Sequence, residues 1–357
     1  MASFGRFLAR RTAQGLFVVL GVVTVVFALR YVTPGSPVDF IAPLDASQAT
    51  RRRIADARGL DDPLWLQYVT YIGDLLQGEM GYSYRSRTAV APRVFAKLPA
   101  TLELAVAATV VAVALSIPLG VVSATRRHAL PDKAATLFSL LGISTPNFWL
   151  GVMLVILFAV QFDVFPTSAR PVGFLETVGN LLVVAADGPL VSTAWPLVHL
   201  DRLVLAAPLD ASGFVADGRT WVAHLFLPAV TLGTYFTALI TRLTRSGMLE
   251  QLGSGYIRAA RAKGLPEALV RYRHALRNTL IPVITVVGLQ LGTLIGGAVI
   301  TEAVFAWPGL GTLVIDAINN RDWPLIQGCL VVIGTGFVVV NIAVDALYAR
   351  LNPQVME

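Results

Sequence analysis

The sequence predicts an all-α fold: a polytopic membrane protein with six transmembrane helices and both termini on the cytoplasmic side. Three observations predict it: composition, the length of the apolar runs, and the asymmetric placement of basic residues. Of the 357 residues, 55% are hydrophobic and only 14% charged, and the mean hydropathy is +0.68. A soluble domain carries about 25% charged residues. This chain has too little charge to cover a water-exposed surface, so lipid is its natural solvent.

About 20 helical residues, rising 1.5 Å each, cross a hydrocarbon core about 30 Å thick. Six segments qualify: Ala13–Val32, Leu98–Val122, Leu137–Val160, Leu225–Leu243, Leu280–Ile300 and Leu325–Ala349. The first follows Arg6, Arg10 and Arg11, as a signal peptide's apolar region would. It runs on to Val32 and meets Thr33-Pro34-Gly35-Ser36-Pro37 where a cleavage site would need small residues, so it is read as a retained anchor. The connections 123–136 and 244–279 are tight; those at about 33–97 and 161–224 are long.

The tight loops and the termini are strongly basic. They hold Arg6, Arg10, Arg11, Arg126, Arg127, Lys133, Arg242, Arg245, Arg258, Arg261, Lys263, Arg271, Arg273, Arg277 and Arg350, against Asp132, Glu250, Glu267 and Glu357. Basic short loops face the cytoplasm. The chain then divides into residues 1–32 (N-terminal segment and first helix), 33–97 (extracytoplasmic), 98–349 (transmembrane core) and 350–357 (tail). The core carries an extracytoplasmic insertion at about 168–223 and the cytoplasmic loop 244–279. A solvated helix is expected at Ala46–Arg58, and the apolar stretches 181–186 and 203–207 are too short to span.

Several chemistries are excluded. Cys329 is the only cysteine, so no disulfide or cysteine metal site forms within the chain. His128, His199, His224 and His274 lack ligand spacing, and no metal site is expected. The net charge of +6 is scattered among apolar runs, which argues against nucleic-acid binding. No Gly-x-x-x-x-Gly-Lys-Ser/Thr loop is present, so nucleotide chemistry must lie on another chain. No nucleophile–base constellation points to an enzyme. The coupling carboxylates and broken helices in repeated halves of a secondary transporter are not evident either.

Polar groups at membrane depth should face protein or an aqueous path. Glu103 and Asp345 lie near span ends and read as interfacial or capping groups, whereas Gln290 is mid-span and is the pathway candidate; Asn341 is the fourth such group. Gly288, Gly292 and Gly296 repeat every fourth residue and share one helical face. Such a stripe admits a close helix neighbour, as static packing or as a sliding surface beside a gate.

The loop between spans four and five reads Tyr256-Ile257-Arg258-Ala259-Ala260-Arg261-Ala262-Lys263-Gly264-Leu265-Pro266, then Arg271-Tyr272-Arg273-His274-Ala275-Leu276-Arg277-Asn278. Alanines and basic residues favour a short helix, and Gly264 supplies its stop. Small residues ringed by arginines suit a helix that docks into a groove on a partner. This loop resembles the EAA loop of ABC importer permeases, the helix that couples to the ATPase. Ala259, Ala260 and Gly264 match the motif's alanines and glycine; Arg258 stands where the general motif has glutamate and Arg277 where it has proline. The wording is similar to the dipeptide/oligopeptide/nickel branch.

The resemblance extends over much of the chain. It takes in Asp62-Pro63-Leu64-Trp65-Leu66-Gln67-Tyr68, Leu98-Pro99-Ala100-Thr101-Leu102-Glu103-Leu104 and Pro146-Asn147-Phe148-Trp149-Leu150-Gly151. Its most specific stretch is Thr301-Glu302-Ala303-Val304-Phe305-Ala306-Trp307-Pro308-Gly309-Leu310-Gly311, which resembles the first permease of the pair. The resemblance implies a type I ABC importer permease fold in the inner membrane and import of short peptides, with a nickel chelate as the alternative cargo. It implies ATPase coupling through Tyr256, Arg258, Ala259, Ala260, Arg261, Lys263, Gly264 and Leu265. The implied partners are a second permease subunit, ABC ATPases and an extracytoplasmic solute-binding protein. ATP and Mg would sit on the ATPases, with no cofactor in this chain.

Overall fold

A computed structural model describes residues 2–32, 38, 42, 45–57, 59–167, 169–174 and 211–351. The stretches 181–186 and 203–207 lie outside the described residues, as does nearly all of the tail. Every element among the described residues is helical: five helices are long and apolar enough to cross a membrane, or six if a sharply bent pair is counted as one span.

The first helix, α1 (Ala2–Val32), lies antiparallel to the last, α12 (Trp323–Leu351). Arg11 pairs with Asp345 at 3.3 Å, Gly15 faces Val338 and Ile342, Gly334 faces Val22, and Gln327 Nε2 donates to the Val26 carbonyl. The start of α1 therefore sits beside the end of α12. Helix α2 (Gln48–Ala57) falls where the arginine-rich helix was expected. Helix α3 (Leu64–Leu76), which the sequence had not shown as a helix, packs Tyr68 and Tyr71 on Phe27 of α1, with ring centroids 5.2 and 5.6 Å apart.

Two long helices form the spine. Helix α4 (Val90–Thr125) and α7 (Ala211–Leu252) run parallel: Gly233 meets the Ala108 carbonyl, and Gly120 meets Thr244 and the Thr241 carbonyl. With no hydrophobic drive between helices in lipid, small residues at such points let backbones approach and gain dispersion contact. Both helices outrun the expected spans. Because α7 begins at Ala211, residues 211–223 of the expected insertion are helix continuous with the fourth span.

The third crossing differs most from expectation. The sequence suggested one helix over Leu137–Val160; instead α5 (Leu130–Ser144) and α6 (Asn147–Leu154, continued as a wider π-helical turn to Gln161) meet at 109°. Pro146 causes the break. A proline pushes the residue before it out of the helical region, and Thr145 is extended at φ −86°, ψ 124°. The pair nevertheless climbs α7 steadily: Asp132 bonds Arg245, Gly142 faces Ala238, Gly151 faces Thr231, and Ala159 packs with Leu227. From Arg245 to Leu227 the helix rises about 27 Å, so the bent pair crosses once.

The loop 244–279 is almost wholly helical. It contains the end of α7, helix α8 (Gly255–Ala262), and the turns Glu267–Leu269 and Val270–Ala275, which run into α9 (Leu276–Gly297). Two short helices, α10 (Val299–Val304) and α11 (Leu310–Asn319), connect α9 to α12.

Candidate functional site

The sequence-selected residues gather at opposite ends of the bundle. At the end holding the start of α1, α8 lies across the tips of α4, α7 and α9. Ile257 is fully buried among Val121, Ala124, Met248, Val270 and Ala275, with Ala260 and Leu265 packed beside it. The helix ends at Gly264, whose φ is +77°. A glycine takes this left-handed conformation at no steric cost. It lets Gly264 N donate to the Arg261 carbonyl at 2.9 Å and Leu265 N to the Ala260 carbonyl at 3.3 Å.

Two polar anchors fix α8 on its base. The Tyr256 hydroxyl donates to Gln251 Oε1 at 2.7 Å and accepts from Asn278 Nδ2 at 2.9 Å, joining α7, α8 and α9. Glu267 accepts from Arg261 (3.1 and 2.9 Å) and Arg271 (3.0 Å) across the Gly264-Leu265-Pro266 turn. What remains turned outward is Arg258, Ala259, Ala262, Lys263 and Gly264. The two alanines of the motif therefore part company: Ala259 faces away from the chain, and Ala260 faces into it. The outward patch is small at its centre and basic at its rim.

Beside this base lies a bolt that motif reading passed over. Asp132, buried, accepts from Arg245 (2.7 and 3.0 Å), Ser123 Oγ (2.5 Å) and His128 N (2.8 Å). It ties the end of α4, the start of α5 and α7 together. The available signal was a lone acid among Arg126, Arg127 and Lys133.

At the opposite end, Glu302 is the hub. It is fully buried. Its carboxylate accepts from Thr101 Oγ1 at 2.7 Å, Gly311 N at 2.7 Å and Thr312 N at 3.1 Å. Gly311 and Thr312 are in the first turn of α11, so the acid caps the unpaired N–H groups there and meets the positive end of the helix dipole. Burial pushes its carboxyl up from the ordinary value, while Thr101 and the two N–H donors pull it down less strongly. A side chain at Gly309 would collide with this carboxylate, and one at Gly311 with Val299. Trp307, also fully buried, donates from Nε1 to the Ala100 carbonyl at 2.8 Å. Phe305 is buried with Ala159 and Leu227. Pro308, half-buried, borders a cavity.

Close by, Glu103 accepts from Arg170 Nε (3.0 Å) and Nη2 (2.6 Å), from Phe174 N (3.1 Å) and from Trp221 Nε1 (3.2 Å). The Arg170 guanidinium also lies 6.0 Å from the Trp307 ring, within cation–π range. These contacts strap residues 169–174 over the hub.

In the interior, the glycine stripe and Gln290 occupy different faces of α9. Gly288 faces Val344, Gly292 faces Phe337 and Asn341, and Gly296 faces Ile333, all on α12. Gln290 points elsewhere and accepts from Thr293 Oγ1 at 3.0 Å; Thr293 is exposed. The structure does not bring the two sets together.

The family model for the Binding-protein-dependent transport system inner membrane component matches residues 116–357. Its N-terminal companion, the Binding-prot-dependent transport system membrane comp, N-term, matches residues 4–105. The chain is 39% identical over 353 residues to the dipeptide transport system permease protein DppB of Escherichia coli strain K12, covering 98% of each chain. It is 40% identical over 355 residues to the di/tripeptide transport system permease protein DppB of Pseudomonas aeruginosa strain UCBPP-PA14, again covering 98% of each. The oligopeptide transport system permease protein AppB of Bacillus subtilis strain 168 is 36% identical over 350 residues, with the same coverage.

Proposed function

This chain belongs to the family of binding-protein-dependent transport system inner membrane components, and on that premise we propose that it forms half of the translocation path of an ATP-driven importer of short peptides. It is a multi-pass permease of the inner membrane. The observation that carries the rest is the outward patch of α8, held on a rigid base with small residues at its centre. ATPase subunits dock there from the cytoplasm, and a second, similar permease completes the path. A solute-binding protein delivers peptide from outside. ATP and Mg bind the ATPase chains. Closure of the ATPases pushes α8, and the buried Ile257 and the Tyr256 anchor pass that movement to the ends of α4, α7 and α9. The basic loops put this end, with both termini, in the cytoplasm.

The complex carrying a tag on this chain should copurify an ATPase whose hydrolysis rises with loaded binding protein. Single cysteines at Ser47 and Asp217 should label from outside in intact cells, and those at Thr125 and Ser254 should not. Outside labelling at Ser254 overturns the orientation and the docking of α8 with it. Loss of nickel uptake without loss of peptide uptake, on deleting the gene, overturns the peptide cargo.

A further inference from the structure

The hub end holds a cavity of about 420 Å³ between α4, α10 and α11, within the range of small-ligand sites. Its wall is Trp307, Pro308 and Ile315, and it carries one charge of each sign: Lys97 from α4 and Asp316 from α11. The two do not neutralise one another. Among the described residues neither side chain enters an ion pair; Asp316 lends only its backbone carbonyl, to Asn320. Both stand on elements tied to the Glu302 hub. Lys97 lies one turn before Ala100 and Thr101, which hold Trp307 and Glu302, and α11 is capped by the same Glu302.

From this geometry we infer that the cavity is a weak entry subsite for the two charged ends of a free dipeptide, with Asp316 facing the α-ammonium and Lys97 the α-carboxylate. The inference deepens the peptide-importer reading and rests on it. Every unblocked dipeptide carries these two charges whatever its side chains, so a pair of counter-charges recognises the free termini and leaves sequence open. The side chains lie along the accessible Pro308 and Ile315, which make apolar contact without hydrogen-bond demands. Lys97 is only half-buried and Asp316 exposed, so the attraction is screened and binding stays weak. A pathway requires this: cargo must enter and also leave.

The test uses the assembled importer in membranes. The native Cys329 is buried, so a thiol reagent on an Ala303→Cys chain reports on the cavity rim, and Ile315→Cys is a second reporter should the first fail to assemble. Alanyl-alanine at millimolar concentration should slow alkylation, and its N-acetylated, C-amidated form should not. Lys97→Ala and Asp316→Asn should each raise the half-protecting concentration about two- to fivefold, the scale of one solvent-screened charge contact. Equal protection by the blocked peptide overturns the subsite. So does an absence of protection in a complex that still takes up dipeptides through its binding protein. A complex with no peptide uptake at all overturns the importer reading itself, and the subsite with it.

Discussion

The two ends of the bundle use their motif residues in opposite senses. At the Glu302 end, Glu302, Phe305, Trp307 and Gly311 turn inward, and every polar atom named there has a partner. At the α8 end, Ile257 and Ala260 turn inward while Arg258, Ala259, Ala262 and Lys263 face out. The first pattern describes a finished structure, which holds α4, α6, α10 and α11 in one arrangement. The second leaves a small, basic-rimmed surface turned outward, and it is this surface that the proposed docking of an ATPase would cover. Residues of equal prominence in the sequence thus divide into those that should matter to stability and those that should matter only to assembly.

The largest expected effect on the isolated protein follows removal of the hub. Glu302→Ala leaves Gly311 N, Thr312 N and the Thr101 hydroxyl proton without an acceptor, although the Thr101 oxygen keeps its bond from Leu310 N. Each such group costs about 1–3 kcal/mol, so the loss should exceed about 3 kcal/mol and lower the thermal midpoint in detergent by many degrees. Glu302→Gln keeps one acceptor oxygen and should fall between the two. An unchanged midpoint for Glu302→Ala would erase the distinction between the two ends.

Next comes Gly264→Val. No atom lies near the site where a side chain would be added, so the cost is the left-handed φ of +77° alone, about 1–2 kcal/mol. The expected midpoint shift is small, yet uptake and stimulated hydrolysis should be lost, because the strained turn must relax by moving the end of α8. Gly264→Asn, which tolerates this conformation better, should restore part of the uptake. Normal uptake in Gly264→Val would show that the end of α8 is not where coupling occurs.

How far the sequence discloses these differences depends on the physics involved. The all-helical, multi-span fold was legible because hydropathy is summed over many residues, and single errors average out. The break at Thr145–Pro146 was equally on view, since a proline mid-span is a local signal, but its effect on direction depends on what the α7 surface offers beyond it. The hub was legible as a motif and illegible as a mechanism. Glu302 meets Thr101 across 201 positions of chain, and no periodicity encodes such a contact. The division between Ala259 and Ala260 was hidden for a simpler reason. Adjacent helical residues differ by about 100°, and only the packing of Ile257 decides which of them points inward.

The smallest effects on the protein itself, and the sharpest on the comparison, should come from the outward face of α8. Ala259→Trp adds volume where nothing of this chain is displaced, so the midpoint should not move. Overpacking a close interface costs about 1–3 kcal/mol, so the ATPase should bind roughly five- to 150-fold more weakly and uptake should fall with it. Ala260→Trp must instead force its ring toward Ile257, lowering the midpoint as well as uptake. Arg258→Ala should be milder than either. Arg258 is exposed, and an exposed ion pair contributes about 0.2–1 kcal/mol, so ATPase affinity should change by no more than about fivefold, most visibly at low salt. Titrating purified ATPase onto the three variants in nanodiscs, with thermal midpoints from the same samples, separates these outcomes. If Ala259→Trp destabilises the chain as much as Ala260→Trp does, the outward face is packed in this chain's own structure, and α8 has no free surface to offer a partner.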